Sequence, residues 1–142
     1  SGDPSMWVKL ARCCTPVPGD DILGFVTRGQ GVSVHRRDCT NAAGLLATPE
    51  RIVDVAWSVA AGTAFLVGLY VEGIDRAGLL SDVTQLLAEE KISIQSASIK
   101  TSKDRIFRGT LTFETADPMH LNHVITRLLS IPALYEVKRV SA

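Results

Sequence analysis

The chain has 142 residues, 15 Lys+Arg against 15 Asp+Glu, and 46% hydrophobic and 21% charged residues, the composition of one compact globular domain or two small ones. Zero formal net charge argues against a dedicated duplex-DNA binder, which needs a marked Lys/Arg excess on one face. No apolar stretch reaches the roughly 18 residues needed to cross a bilayer, because Arg, Asp, Glu or Gly interrupts every candidate, Val59 to Val71 included, so no membrane partner is expected. An odd set of cysteines, Cys13, Cys14 and Cys39, does not suit a disulfide framework and points to a reducing, cytoplasmic setting. Ser1 to Ser5 are small and polar, with no signal-peptide pattern, and read as a vector-derived remnant.

In chain order, Ile22 to Thr27 and Val32 to Arg36 are short β-rich runs between glycines and prolines, read as strands paired through a tight turn. Ala42 to Leu46 suits a two-turn helix capped by Asp38 or Thr40. Arg51 to Val59 reads as a third strand, and Ala60-Ala61-Gly62 as a hinge between lobes at residues 7–60 and 63–142. Phe65, Val67, Leu69 and Val71 then alternate as one face of a strand. Leu79, Leu80, Val83, Leu86 and Leu87 recur at helical spacing, with Asp75 placed as N-cap and Lys91 near the C-terminus. Ile92 to Ser102 and Ile106 to Glu114 form a hairpin broken at Asp104. Asp117-Pro118 starts a second helix striped by Leu121, Val124, Ile125, Leu128 and Leu129; Pro132 stops it, and Leu134 to Val140 closes as a strand. The order is βαββαβ. One apolar stripe per helix places both on one side of a four-stranded antiparallel sheet, the ferredoxin-like arrangement, so the fold class is α+β with a small β-rich lobe ahead.

Asp75-Arg76-Ala77-Gly78-Leu79-Leu80 joins the first strand of that unit to its first helix. Unpaired amides at such a start attract anions, and Gly78 lets a carboxylate approach the amides of Gly78 and Leu79, while Asp75 can accept from an ammonium group. A free α-amino acid carries both charges. The plainer alternative makes Asp75 an N-cap and Gly78 a packing relief.

With Lys91-Ile92-Ser93-Ile94, the segment Val71 to Val83 resembles an ACT domain spanning residues 63 to 140. The resemblance implies binding of small amino acids between two copies, with Asp75, Ala77, Gly78 and Leu79 on one copy and Ser93 and Ile94 on the other. The family more often carries Asn at position 75. A branched-chain ligand, valine foremost, is expected, since Ile94 and nearby leucines offer its side chain an apolar pocket.

The run from Cys13 to Cys39 gathers soft ligands. Cys13, Cys14, His35 and Cys39 can complete a tetrahedral zinc site. Adjacent cysteines converge only if the backbone turns between them, and Asp38 is a substitute ligand. The alternatives are buried structural cysteines beside a hydrogen-bonded histidine, or a catalytic Cys/His pair, for which no acid, oxyanion elbow or cleft is recognisable.

Cys13-Cys14, Pro16-Val17-Pro18-Gly19-Asp20, Ile22-Leu23-Gly24, Gly29-Gln30-Gly31 and His35-Arg36-Arg37-Asp38-Cys39, in that order, resemble the zinc-finger or RIS module of long Rel/SpoT-family alarmone enzymes, and the match with the following ACT-like unit runs from residue 7 to 140. The resemblance implies a non-catalytic regulatory fragment of a bifunctional (p)ppGpp synthetase/hydrolase, with no organic cofactor and no turnover of its own. It further implies a homodimer through the ACT unit, control of the catalytic half, and contact with ribosomal RNA and tRNA. Arg12, Arg28, Arg36 and Arg37 are candidate phosphate contacts. Through Trp57, six Lys/Arg face six Asp/Glu, so only a local patch can steer RNA. A ribosome- or tRNA-docking module without amino-acid sensing is the alternative reading.

Overall fold

A computed structural model describes residues 8–29, 31–58 and 63–142. The expected hinge at Ala60-Ala61-Gly62 lies outside the described residues, as do Ser1 to Ser5. The fold is α+β with two four-stranded sheets.

The first sheet has the order β1-β3-β2-β4, from β1 (Val8–Leu10), β2 (Ile22–Thr27), β3 (Gly31–Arg36) and β4 (Ile52–Val53). The expected β2–β3 hairpin is present, Ile22 opposite Arg36 and Thr27 opposite Gly31. Two expectations are corrected here. The third strand, expected over Arg51 to Val59, is shorter: Pro49–Arg51 forms a 3-10 turn and, among the described residues, only Ile52–Val53 of that run pairs with β2. The chain then leaves the sheet edge so that Trp57 can turn inward, its indole N–H donating to Asp20 O at 3.2 Å. Neither Asp38 nor Thr40 caps the short helix α1 (Ala42–Leu45), whose N-cap is Asn41 without a side-chain bond. Asp38 instead pairs with Arg36 at 2.6 Å. β1, which runs parallel to β3, is too short at three residues to leave a periodic signal.

The second sheet, order β6-β7-β5-β8, contains β5 (Phe65–Ile74), β6 (Ile94–Thr101), β7 (Ile106–Thr115) and β8 (Leu134–Val140). Helices α2 (Leu79–Glu89) and α3 (Pro118–Leu129) complete βαββαβ. The alternating residues Phe65, Val67, Leu69 and Val71 are buried with Phe107, Leu111 and Phe113 against the helix stripes Leu79, Val83, Leu86, Leu87 and Leu121, Val124, Leu128, so both helices cover one face. Asp117 caps α3 as expected, its carboxylate accepting from the Met119 amide at 2.9 Å.

Asp75 does not cap α2. The N-cap is Gly78, at φ 83°, three residues later. At the other end, the Ile92 and Lys91 amides donate to Leu87 O at 2.9 Å and Ala88 O at 3.0 Å, a Schellman closure with Lys91 at φ 60°. Lysine there bears a left-handed strain that glycine avoids. Lys91→Gly is expected to raise stability by about 0.5 kcal/mol after its unfolded-state entropy is counted, measured by urea unfolding.

The lobes share an apolar seam. Val17 of the first lobe is 2% exposed within the core of the second, with Leu10 and Trp57 packed beside it. Trp57 meets Phe65 edge-to-face with centroids 5.7 Å apart. From the far end of β8, Arg139 reaches back to Asp20 at 2.9 and 3.1 Å and to Thr15 O at 2.6 Å.

Candidate functional site

Cys13, Cys14, His35 and Cys39 converge in the first lobe, with all four donor atoms within 4.8 Å of one another. The turn that adjacent cysteines require is present: the Thr15 amide donates to Ala11 O at 2.9 Å, and Thr15 leaves the turn at φ 44°. β3 delivers His35, and the turn from β3 towards α1 delivers Cys39. Cys13 Sγ lies 3.5 Å from Cys39 Sγ, 3.9 Å from Cys14 Sγ and 3.4 Å from His35 Nδ1, while Cys14 Sγ lies 3.8 Å from that nitrogen. A tetrahedral zinc with ordinary bond lengths has sulfur–sulfur edges of about 3.8 Å and sulfur–nitrogen edges of about 3.6 Å. Four of the six edges, at 3.4 to 3.9 Å, match these lengths and the other two lie within 4.8 Å, so the chemistry and spacing of the donor set fit a closed zinc site.

The electrostatics differ from donor to donor. Burial pushes the Cys14 thiol up to about 12, against a hydrogen bond from the Arg36 amide at 3.3 Å. Burial also acts to raise Cys39, but the amides of Asn41 and Ala42 and the neighbouring thiols outweigh it and hold that thiol below its ordinary value. Burial lowers His35, keeping the imidazole neutral and its lone pair available. A divalent cation supplies the positive charge that three thiolates in this setting otherwise lack. Asp38, engaged with Arg36, is not among the clustered donors.

The ACT-like loop is built differently from its sequence reading. Asp75 is half-buried, and its amide donates to Arg105 O at 2.9 Å. Ala77 and Gly78 are exposed, and the Gly78 amide has no hydrogen bond among the described residues. The Leu79 amide donates to Arg76 O at 3.3 Å, a long bond, and the Leu79 side chain is buried. Ile74 and Leu80 flank the loop as exposed apolar side chains. Ser93 and Ile94 are not near it within one chain. Ile106, opposite Ile74, and Phe113, opposite Ile94, are seven residues apart on β7, which separates the two regions by about 24 Å. β6 is an edge strand, its outer side unpaired among the described residues.

Arg76 escaped the sequence reading. Its guanidinium lies across the start of α2, donating to Pro132 O at 2.9 and 3.0 Å, to Ala77 O at 3.1 Å and to Asp82 at 2.7 Å. The Asp82 spacing fits no helical pairing rule and Pro132 is remote, so no sequence signal marks it. Glu90 was missed too. Arg127, foremost, and His120 hold its carboxyl below the usual range, with Nε2 of His123 3.3 Å away. His120, His123 and Arg127 recur at three and four residues on α3, a pattern that could have revealed the cluster. Of the four arginines, Arg36 and Arg37 are paired with Asp38 and Asp21, whereas Arg12 and Arg28 are exposed and form no ion pair among the described residues.

Family models agree with this division of the chain: the RelA/SpoT RIS domain matches residues 1–58 and the ACT domain residues 61–139. The chain belongs to the ACT family, with a RelA/SpoT RIS domain ahead. The bifunctional (p)ppGpp synthase/hydrolase RelA of Mycobacterium tuberculosis is 53% identical over 141 residues, which are 99% of this chain and 19% of that protein. A GTP pyrophosphokinase of Streptomyces coelicolor is 51% identical over 141 residues, 99% of this chain and 17% of that protein. The chain thus spans under one fifth of these relatives' length. Among solved structures, the ACT domain from a GTP pyrophosphokinase of Chlorobium tepidum overlays with a TM-score of 0.51 at 23% identity, covering 55% of this chain and 100% of that one, a likeness of fold. The RIS lobe holds the Cys/His cluster and the ACT lobe the Asp75–Gly78 loop; no helix among the described residues is long and apolar enough to cross a membrane.

Proposed function

We propose that this chain is a non-catalytic regulatory segment of a cytoplasmic (p)ppGpp synthetase/hydrolase, and that its ACT lobe binds a branched-chain amino acid, valine foremost, between two copies. In this reading the ligand carboxylate takes the Gly78 amide and the Leu79 amide displaced from its long bond, and Asp75 accepts from the ammonium. Ile74 and Leu80 of one copy and Ile94 of the other enclose the aliphatic side chain, with Ser93 beside it. One observation carries the proposal: the Gly78 amide, unpaired among the described residues, sits at one end of the sheet and the start of the edge strand β6 at the other. A two-fold-related copy running antiparallel along β6 brings each loop to the other's strand start. The dimer then shifts the population of catalytic-half conformations, reporting amino-acid sufficiency. The RIS lobe is held by one structural zinc on Cys13, Cys14, His35 and Cys39; the metal supplies a fixed crosslink of its four donors.

The test is an L-valine titration followed by amide shifts. Resonances of Ala77, Gly78, Leu79, Ser93 and Ile94 should move together at millimolar ligand, and Asp75→Ala should weaken binding at least tenfold. No movement with valine, isoleucine or leucine removes the sensor role. A second reading, docking on ribosomal RNA or tRNA, draws support from Arg12 and Arg28, exposed and without ion pairs among the described residues, and it stands without amino-acid binding.

A further inference from the structure

Beside the Cys/His cluster, β3 places Ser33 two residues before His35, on the same face of the strand. Ser33 Oγ lies 3.2 Å from His35 Nε2, while Nδ1 of the same ring faces Cys13 Sγ at 3.4 Å and Cys14 Sγ at 3.8 Å. The two ring nitrogens thus have different neighbours, sulfur on one side and a hydroxyl on the other. A neutral imidazole offers one N–H and one lone pair, and which nitrogen carries the proton is set by the acceptor facing it.

We infer that Ser33 is a positioning residue for the metal centre: it accepts the Nε2 proton of His35, fixes that tautomer, and so presents Nδ1 as the ligand atom. The inference rests on the zinc reading of the cluster and adds the ligating atom and the residue that selects it. Only this tautomer is compatible with the donor tetrahedron, because Nδ1 is the nitrogen on its sulfur-facing edge. With Nδ1 protonated, the ring would have to swing away from Cys13 and Cys14 to ligate, out of a strand position that is 9% exposed. The hydroxyl of Ser33 can accept from Nε2 while its own O–H points away from the ring. The same arrangement, a ligand histidine steadied through its second nitrogen, commonly accounts for about 10- to 100-fold in metal affinity.

The experiment uses the reduced full chain, with zinc competition for affinity and long-range 15N–1H correlation of the His35 ring for tautomer and ligating atom. In the zinc-free chain Nε2 should carry the proton; in the zinc-loaded chain Nδ1 should show the metal-bound shift. Ser33→Ala should weaken zinc about 10- to 100-fold and mix the tautomers of the zinc-free ring. Ser33→Thr, which keeps the hydroxyl, should restore both, an outcome that a merely packing role for Ser33 would not give. Ligation through Nε2, a proton on Nδ1 in the zinc-free wild type, or wild-type affinity in Ser33→Ala overturns the inference while leaving zinc binding intact. Failure of the wild type to take up zinc overturns the zinc reading instead, and with it the purpose assigned to Ser33.

Discussion

Loaded with one equivalent of zinc, the chain should melt far above its metal-free form, and Cys14→Ala should abolish the difference. Four donors on three separate segments are tied to one point, so a metal that binds the folded chain alone stabilises it by mass action. With free zinc near a thousand times its Kd the gain is about 4 kcal/mol, or roughly 12 °C for a chain of this size. Cys14 is the sharpest position to remove, because its side chain is 4% exposed and its sulfur also accepts the Arg36 amide. The pH dependence has a defined sign. Each thiol protonated at neutral pH must lose its proton to bind, so affinity falls about tenfold per pH unit for each such thiol as the solution is acidified. Without metal the sign differs. Cys14 has a folded value near 12 against 9 for the free thiol, so its contribution is fully present below pH 9 and is lost as pH rises through 12. Calorimetric melting of both proteins, with and without zinc, tests the prediction; equal zinc-induced shifts would contradict it.

Arg139→Ala should cost about 3 kcal/mol and loosen the RIS lobe from the ACT lobe. The guanidinium and the Asp20 carboxylate are 11% and 18% exposed, so removing one partner strands the other in a largely dry seam. Asp20 also accepts the Val17 amide at 2.8 Å, fixing the turn that inserts Val17 into the ACT core. Losing the pair therefore disturbs polar and apolar halves of the seam together. Lys138→Ala is the control. Lys138 lies one residue away in an exposed pair with Glu136 at 3.6 Å and should change stability by no more than about 0.5 kcal/mol. Arg139→Lys should recover only part of the loss, since an ammonium cannot serve Asp20 and Thr15 O with one planar fork. Urea unfolding gives the free energies, and hydrogen exchange at Val17 and Asp20 shows whether the seam opens. Equal costs for Arg139→Ala and Lys138→Ala would contradict the account.

The ACT lobe was legible in the sequence because its signals are long and redundant. In β5, Phe65, Val67, Leu69 and Val71 fall on one buried face at every second position, and each helix carries a full stripe that only one packing satisfies. The RIS lobe was legible in part. Its hairpin followed from glycines and β-rich runs, but β1 is three residues long and pairs in parallel with a strand over twenty residues away, which no local pattern encodes. Trp57 looked like a strand residue because apolar alternation says nothing about the indole N–H seeking Asp20 O. At the two candidate sites the gaps have one cause. Convergence of Cys13 and Cys14 depends on the Ala11–Thr15 turn, and exposure of the Gly78 amide depends on a left-handed glycine taking over the cap expected of Asp75. Both are decided by backbone torsions that residue type only biases.

Sedimentation equilibrium of this chain, with and without millimolar L-valine, tests the central claim most directly. Two copies that share a bound amino acid must associate more tightly when it is present, so the dimer dissociation constant should fall at least tenfold with valine and respond far less in Asp75→Ala. A mass that does not respond to valine, isoleucine or leucine would contradict the account.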